Sequence, residues 1–218
     1  MKEKFMNGLL TLAVVLMMQL LWWFGIHGPN VMSAVTTPFM TKMMATNLEL
    51  YQAGEGVTAA GVFYSSGSQY NIISGPFGAG WFSPTGSGIT MGLIIAVMLF
   101  SKRDDFKAIA KLAIPCGIFN INEPIIFGIP MVMNPMFAVP FFLAPVACVC
   151  CGYLVQSLGL CPLFVIDVPW TTLVGLFGFL ASSGNIMGAI WQAVIILGVS
   201  TLIYTPFVIA ANRQTEEA

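Results

Sequence analysis

Residues 118–135 read IFNINEPIIFGIPMVMNP and place a single charge, Glu123, between an asparagine and a proline. The flanking residues are almost all apolar, so the stretch is expected to be buried. Pro124 suits the first turn of a helix, with Asn122 or Glu123 as the cap. The stretch therefore predicts a helix that begins inside the protein, where its positive end favours an ionised Glu123.

The composition indicates whether the chain is soluble or embedded in a membrane. Of its 218 residues, 57% are hydrophobic and 8% charged, with a mean hydropathy of +0.87. Soluble domains carry about 25% charged residues, so an integral membrane protein is predicted. A net charge of −1 offers no footprint for nucleic acid. Within a bilayer an ionised Glu123 costs roughly 2.5–3.5 kcal/mol, which indicates a functional or paired side chain.

Four apolar stretches are candidate membrane spans: 5–26, 86–101, 136–158 and 189–211. A helix needs roughly 20 apolar residues to cross a hydrocarbon core. The stretch 86–101 is the shortest of the four. No cleavable signal peptide is expected, because the first apolar run is long and lacks a small-residue cleavage site. The basic cluster around Arg103 is assigned to the cytoplasm. Four crossings then place both termini on the cytoplasmic side of the membrane.

Three apolar stretches rich in glycine and proline remain: 57–84, 112–133 and 162–186. Irregular backbone at membrane depth survives only when protein or a hydrated cavity surrounds it, so these are predicted to be re-entrant hairpins. The predicted fold is an all-α membrane domain over residues 1–218, with about four transmembrane helices. Broken elements of this kind are the best sequence pointer to a transporter's binding site.

Polar residues in the broken segments are the candidate ligands. The Glu123 carboxylate can accept two neighbouring hydroxyls, as sugars offer. His27, the only histidine, can hold a hydroxyl and exchange its proton, but an interfacial histidine is equally compatible with the sequence. Ser87 lies between glycines in TGSGIT (85–90), where backbone amides can meet a ligand. Trp170 and Thr171 can stack on and fix a sugar ring, although a lipid-interface tryptophan explains Trp170 as well.

The five cysteines are predicted to be small buried residues. None has the spacing of a metal site, and none lies in the polar, glycine-rich surroundings that a phosphate-accepting thiol needs. No metal or cofactor is therefore expected.

Three motifs carry a family resemblance: GIFNINEPIIFGIPMVMNPMFAVPFFLAP (117–145), WWFGIHGPN (22–30) and VPWTT (168–172). Together they resemble the membrane-embedded IIC permease of the bacterial phosphotransferase system, lactose/cellobiose/diacetylchitobiose family. The resemblance covers nearly the whole chain but only the C-terminal, substrate-carrying half of the family's usual length. The family's Gly-Gly-Ser-Gly is replaced here by Thr85-Gly86-Ser87-Gly88.

The resemblance implies a function. A β-linked disaccharide of the cellobiose, chitobiose or lactose type would lie against His27, Asn122 and Glu123, near the hydroxyl to be phosphorylated. Phosphate would come from a separate phosphorylated IIB protein or domain. The chain would present the sugar without carrying phosphate, so its standing as an enzyme is open. A separate N-terminal half or a second copy is a further possible partner.

Two other function classes stay compatible with the sequence. An ion-coupled secondary transporter or channel would use Glu123 and His27 as proton sites and deliver an unmodified substrate. A truncated, non-transporting remnant would only insert into the membrane or associate with another membrane protein. Between His27 and Glu123, the sequence does not decide which accepts the hydroxyl proton.

Overall fold

The computed structural model describes residues 2–65 and 67–216, and this part of the chain is almost entirely helical. A two-residue antiparallel ladder, β1 (Val57–Thr58) with β2 (Gly61–Val62), pairs Val57 with Val62. The helices are α1 (Lys2–Trp23), α2 (Gly28–Gln52), α3 (Gly75–Trp81), α4 (Met91–Phe100), α5 (Asp104–Ile118), α6 (Glu123–Gly128), α7 (Pro135–Ser157), α8 (Leu176–Ala181), α9 (Ile186–Ala193) and α10 (Ser200–Glu216). A π-helical turn, Val194–Val199, joins α9 to α10 without a break.

Two helical runs are long and apolar enough to cross a membrane, within the described residues. They are Pro135–Ser157 and Ile186–Arg213, with mean hydropathies of 2.1 and 2.2. The apolar part of α1 (Gly8–Trp23) and α4 are shorter. The predicted span at 86–101 is helical only from Met91, because residues 83–90 form a series of turns. The four-span count therefore stays a prediction.

The buried apolar side chains form two cores, and the first includes residues of the non-helical segments. The first surrounds Trp81, whose ring stacks on Phe164 with centroids 5.4 Å apart and an interplanar angle of 4°. The second surrounds α4, which packs between α5 and α10. A Cβ on Gly92 would lie 2.2 Å from Ser200 Oγ, so only glycine permits this approach of α4 and α10.

The three predicted re-entrant segments contain short helices joined by extended chain and turns. Segment 57–84 holds the β-ladder and α3, and segment 162–186 holds α8. Segment 112–133 differs from the prediction in its first part, because residues 112–118 complete the 15-residue helix α5. Only after Ile118 does the chain turn, through Asn120, into α6.

Buried side-chain amides bind the backbone of these broken segments. Gln192 on α9 accepts from Gly175 N–H (2.9 Å) and Gly178 N–H (2.8 Å) and donates to Gly80 O (3.1 Å). Its side chain thereby links α3 and the start of α8 to the long C-terminal run. Backbone groups without water need such internal partners.

The same device recurs at other breaks in the helices. Gln19 Oε1 accepts from Gly88 N–H at 2.8 Å, and Gln156 Nε2 donates to Pro162 O at 2.9 Å. The Asn47 side chain donates to Asn71 O and accepts from Asn71 N–H, at 2.8 Å each. Polar side chains thus fix the non-helical segments where a hydrophobic core alone would leave their N–H and C=O groups unpaired.

Candidate functional site

A cavity of about 760 Å³ opens where the broken segments meet the α1–α2 junction. Its walls come from four stretches of the chain, and the lining residues are Trp22, His27, Pro29, Asn30, Ser33, Ala79, Ser83, Gly86, Ser87, Asn120, Ile121, Asn122, Glu123, Pro124 and Trp170. Five of the six predicted ligands, all except Thr171, are therefore brought together although they span more than half the sequence.

Glu123 is the first residue of α6, as expected of a helix that begins inside the protein. Pro124 follows at the second position, not the first, and the six-residue α6 is very short. The Glu123 side chain is half-buried in the cavity wall and has no hydrogen-bond partner within the described part of the chain. Its carboxylate is therefore free to accept hydrogen bonds from a ligand.

Asn122 occupies the cap position of α6 but does not cap it through its side chain. Instead Asn122 Nδ2 donates to Ser87 O at 2.6 Å. The prediction of a capping asparagine is corrected in this respect: the bond from Nδ2 holds the side chain against the Ser87 turn, and Oδ1 makes no capping bond to α6. Oδ1 of Asn122 has no partner among the residues described, so it stays available to the cavity.

His27 caps the start of α2. Its Nδ1 accepts from Asn30 N–H at 3.2 Å, and its ring lies against Trp22 with centroids 4.9 Å apart. A ring nitrogen that accepts a hydrogen bond carries no proton, so the neutral imidazole holds its proton on Nε2. His27 therefore presents a donor, not an acceptor, on the side that is free of the cap.

Ser87 lies in the turns before α4, four residues ahead of Met91, where that helix begins. The residue is 3% exposed, and its hydroxyl has no hydrogen-bond partner among the described residues. A buried hydroxyl left unpaired costs about 1–3 kcal/mol. The hydroxyl oxygen is itself buried, and seven other buried polar atoms of the described residues are also unpaired, so Ser87 contributes to the cavity as a lining residue whose hydroxyl is not exposed to it.

Gly86 allows the Ser87 turn to approach Asn122. Its φ of +87° lies in the left-handed region, and a Cβ there would stand 2.2 Å from Asn122 Cγ. The glycine of the TGSGIT motif is therefore required for close packing between two walls of the cavity, independently of any ligand.

Trp170 is 61% exposed at the cavity, which leaves its indole face accessible. Its neighbour Thr171 is absent from the lining and only half-buried, so the structure does not bring it to the same surface. Both residues were predicted to be ligands, since nothing in the local pattern showed which side of the 168–172 turn faces the cavity.

Several lining residues had not been predicted. Asn30 and Ser33 reach the cavity from the first turns of α2, and Asn120 reaches it from the turn before α6. Asn30 and Asn120 lie within the quoted motifs. The pair Asn120 and Asn122, two residues apart just before Glu123, could have indicated that Asn120 also belongs to the site. Their roles differ because the first has a left-handed backbone, with φ +66°.

The cysteines lie away from the cavity. Cys148 and Cys161 are buried, Cys116 and Cys151 are half-buried, and Cys150 is exposed on α7, which corrects the expectation of burial for that residue. All five are free thiols. No group of three or more His, Cys, Asp or Glu side chains that could hold a metal occurs in residues 2–65 and 67–216.

Comparison with known proteins assigns the family. The sequence model described as "Phosphotransferase system, EIIC" matches residues 4–145. The chain belongs to this EIIC family. It is 37% identical over 220 residues to the cellobiose-specific EIIC component of Lactococcus lactis subsp. lactis (strain IL1403), covering 94% of this chain and 43% of that protein. The oligo-beta-mannoside-specific EIIC component of Bacillus subtilis (strain 168) is 35% identical, covering 93% and 43%.

A solved EIIC structure has the same fold. The crystal structure of the transporter ChbC, the IIC component from the N,N'-diacetylchitobiose-specific phosphotransferase system, superposes with a TM-score of 0.83 at 33% identity. The match covers 94% of this chain and 44% of ChbC. The chain thus spans less than half the length of these EIIC relatives. Membership of the family agrees with the apolar composition and the two long apolar helices, and it places the chain in the membrane.

Proposed function

We propose that this EIIC chain binds a β-linked disaccharide and carries it across the cell membrane for phosphorylation. The observation that carries the proposal is the single cavity that joins the free Glu123 carboxylate, the His27 ring and the unpaired Ser87 hydroxyl. Its volume of about 760 Å³ falls within the range of roughly 300–1,000 Å³ typical of small-molecule sites. The relatives named for cellobiose, oligo-β-mannoside and diacetylchitobiose support the sugar class.

The lining offers both halves of sugar recognition. Glu123 and Asn122 Oδ1 accept hydrogen bonds from sugar hydroxyls, and His27 Nε2–H donates to a hydroxyl oxygen. The exposed Trp170 indole stacks on a pyranose face. The Ser87 hydroxyl, whose oxygen is buried, reaches the sugar through a shift of its turn on binding. Thr171 lies outside the lining and is adjacent to Trp170.

The geometry favours Glu123 as the acceptor of the hydroxyl proton. During transfer, the sugar oxygen attacks the phosphorus of phosphorylated IIB, the bond from phosphorus to the IIB side chain breaks, and the hydroxyl proton is released. His27 cannot take that proton readily, because Nδ1 is engaged by Asn30 N–H and Nε2 already bears a hydrogen. The unpartnered Glu123 carboxylate is the remaining base in the cavity wall.

The membrane arrangement and partners belong to the same proposal. Four crossings near α1, α4, α7 and the α9–α10 run put both termini in the cytoplasm, with the broken segments forming re-entrant walls. The phosphoryl donor is a IIB protein or domain; a lactose-specific EIICB component of Staphylococcus aureus is 34% identical to this chain. A separate N-terminal permease half, or a second copy of this chain, is the further partner in this proposal.

Uptake with product analysis tests the proposal. Cells that contain IIB would express this chain alone, or together with a candidate N-terminal half, and be given labelled cellobiose. The expected product inside the cell is the disaccharide with one phosphoryl group, formed only with phosphoenolpyruvate. Accumulation of unmodified sugar under a pH gradient, without phosphoenolpyruvate, would instead establish an ion-coupled transporter. No uptake in either combination would favour a remnant.

Ser87→Ala separates binding from folding. The change removes a buried hydroxyl that has no protein partner, so thermal stability is expected to stay the same or to rise slightly. Sugar affinity is expected to fall about 5- to 10-fold, because one hydrogen bond to the ligand, worth about 1 kcal/mol, is lost. Calorimetric titration with cellobiose and a thermal melt of the same sample measure the two effects. Lower stability with unchanged affinity would place the hydroxyl in the fold and not in the site.

A further inference from the structure

We infer that Asn120 is a positioning residue that holds three separate segments of the cavity wall in register. Asn120 Oδ1 accepts from Thr85 N–H at 2.6 Å, Nδ2 donates to Thr172 O at 2.9 Å, and Nδ2 also donates to Trp170 O. One side chain thus links the Ser87 turn, the approach to Glu123 and the Trp170 turn. The inference deepens the proposed function, on which its sugar-binding consequence depends.

The chemistry of this position admits only asparagine among the common residues. The backbone at Asn120 is left-handed, with φ +66°, a conformation that asparagine tolerates and that longer or branched side chains resist. The three partners require one acceptor and two donor hydrogens on the same short side chain, which is the inventory of an amide. Its orientation is unambiguous, since an N–H faces Oδ1 and two carbonyls face Nδ2.

The Asn120 amide and its three backbone partners form a clamp, in which the bond to Thr85 N–H is buried and the bonds to the Trp170 and Thr172 carbonyls are partly buried. Asn120 is 8% exposed, and Thr85, whose N–H it receives, is 1% exposed. The Thr85 carbonyl accepts a hydrogen bond from the Thr90 hydroxyl at 3.0 Å, and the Thr85 hydroxyl oxygen accepts one from Met91 N–H at 3.2 Å. The Asn120 amide therefore connects the start of α4 to the turn that carries Trp170.

Three proposed sugar contacts depend on this link. Ser87 lies two residues after Thr85, and Trp170 offers its own carbonyl to the clamp. Glu123 lies three residues after Asn120. Without the amide, the hydroxyl, the indole and the carboxylate would no longer share a fixed spacing, although each would still be present. The residue acts on the ligand through its neighbours, which is why it is a positioning residue.

Asn120→Asp tests the clamp because it keeps the shape and the left-handed preference and removes both donor hydrogens. Asn47→Asp is the matched control: Asn47 is also buried, accepts a backbone N–H and donates to a backbone carbonyl, but lies outside the cavity. The full chain would be purified in nanodiscs. The Trp170 emission, isolated by subtracting the spectrum of the same protein carrying Trp170→Phe, reports the position of the turn without any sugar.

We expect Asn120→Asp to shift the Trp170 emission and to raise the Kd for cellobiose at least tenfold, with Asn47→Asp changing neither. If Asn120→Asp does not fold, Asn120→Gly deletes the amide while keeping the left-handed backbone, and the same shift is expected. A folded Asn120 variant with unchanged Trp170 emission overturns the inference. If wild-type protein binds no cellobiose, the proposed function fails, and the emission comparison still decides the clamp.

Discussion

Glu123→Gln is expected to reduce cellobiose affinity about 100-fold and to abolish phosphorylation. Glutamine keeps the size of the side chain, but it exchanges a carboxylate with two acceptor oxygens for an amide with one. Hydrogen bonds to a charged group are worth about 1.5–3 kcal/mol, against about 0.5–1.5 kcal/mol for neutral ones. Two such bonds to neighbouring hydroxyls account for the predicted loss of affinity.

The chemical step should fall further than binding does. The amide cannot accept the hydroxyl proton, and loss of a general base typically lowers a rate about 100- to 10,000-fold. Equilibrium binding of labelled cellobiose gives the first effect, and single-turnover transfer from phosphorylated IIB at saturating sugar gives the second. His27 would take over as the leading base if the variant bound weakly but transferred phosphate normally once saturated.

Glu49→Gln is the matched control for this experiment. Glu49 is exposed on α2 and lies outside the cavity lining, so the same chemical change there removes one charge without touching the site. Binding and transfer are expected to be unchanged. An equal loss in both variants would attribute the effect to net charge, and unchanged binding in Glu123→Gln would remove Glu123 from the site.

Gln192→Leu is expected to cause the largest loss of stability of any single change considered. Leucine fills nearly the same volume, so no large cavity forms, but Gly175 N–H, Gly178 N–H and Gly80 O lose their partner. Each buried group left unpaired costs about 1–3 kcal/mol. A loss of at least about 3 kcal/mol corresponds to a fall of roughly 6–12 °C in the midpoint of thermal unfolding.

The loss should begin in the segment that Gln192 holds. The turn before α8 and the end of α3 would separate from α9, and the 162–186 segment should become accessible to protease before the rest of the chain. Thermal melts in nanodiscs and limited proteolysis with mass analysis measure both effects. Gln192→Glu should recover part of the stability, because its carboxyl oxygen can still accept the two glycine N–H groups.

Gln52→Leu provides the comparison, since Gln52 is exposed at the end of α2 and is expected to tolerate leucine without loss. If Gln192→Leu unfolds at the wild-type temperature, the three backbone groups must find other partners. The role of the buried amides in supporting broken segments would then have to be abandoned.

Sequence patterns predicted the membrane class and the family because these depend on composition and on contiguous motifs. The long apolar runs at 136–158 and 189–211 agree with α7 and with the α9–α10 run to within a few residues. The Asn-Glu-Pro motif also predicted where α6 begins, since a proline and a cap residue act locally. The number of crossings and the sidedness of the termini stay predictions.

Local patterns predicted the roles within the site less well. His27 was an ambiguous histidine until its Nδ1 was seen to cap α2, which fixes the proton on Nε2. Asn122 was expected to cap α6, but the Ser87 carbonyl takes its amide hydrogen. Thr171 was grouped with Trp170 because they are adjacent, yet only the tryptophan reaches the cavity. For Asn122 the deciding partner, Ser87, lies 35 residues away in the chain, where no local pattern could indicate it.

The sequence by itself determined that this chain is a helical membrane protein of the EIIC family, with a charged residue at an interrupted helix. These properties follow from hydropathy and from short motifs, whose physics is local. The tertiary structure alone decided which polar groups are free for a ligand and which are occupied by the protein. The physical reason is that a broken helix must pair its backbone groups with whatever amides the fold brings near. Asn120 and Gln192 pair with such backbone groups. Within the described residues, the side chains of Glu123 and Ser87 have no hydrogen-bond partner.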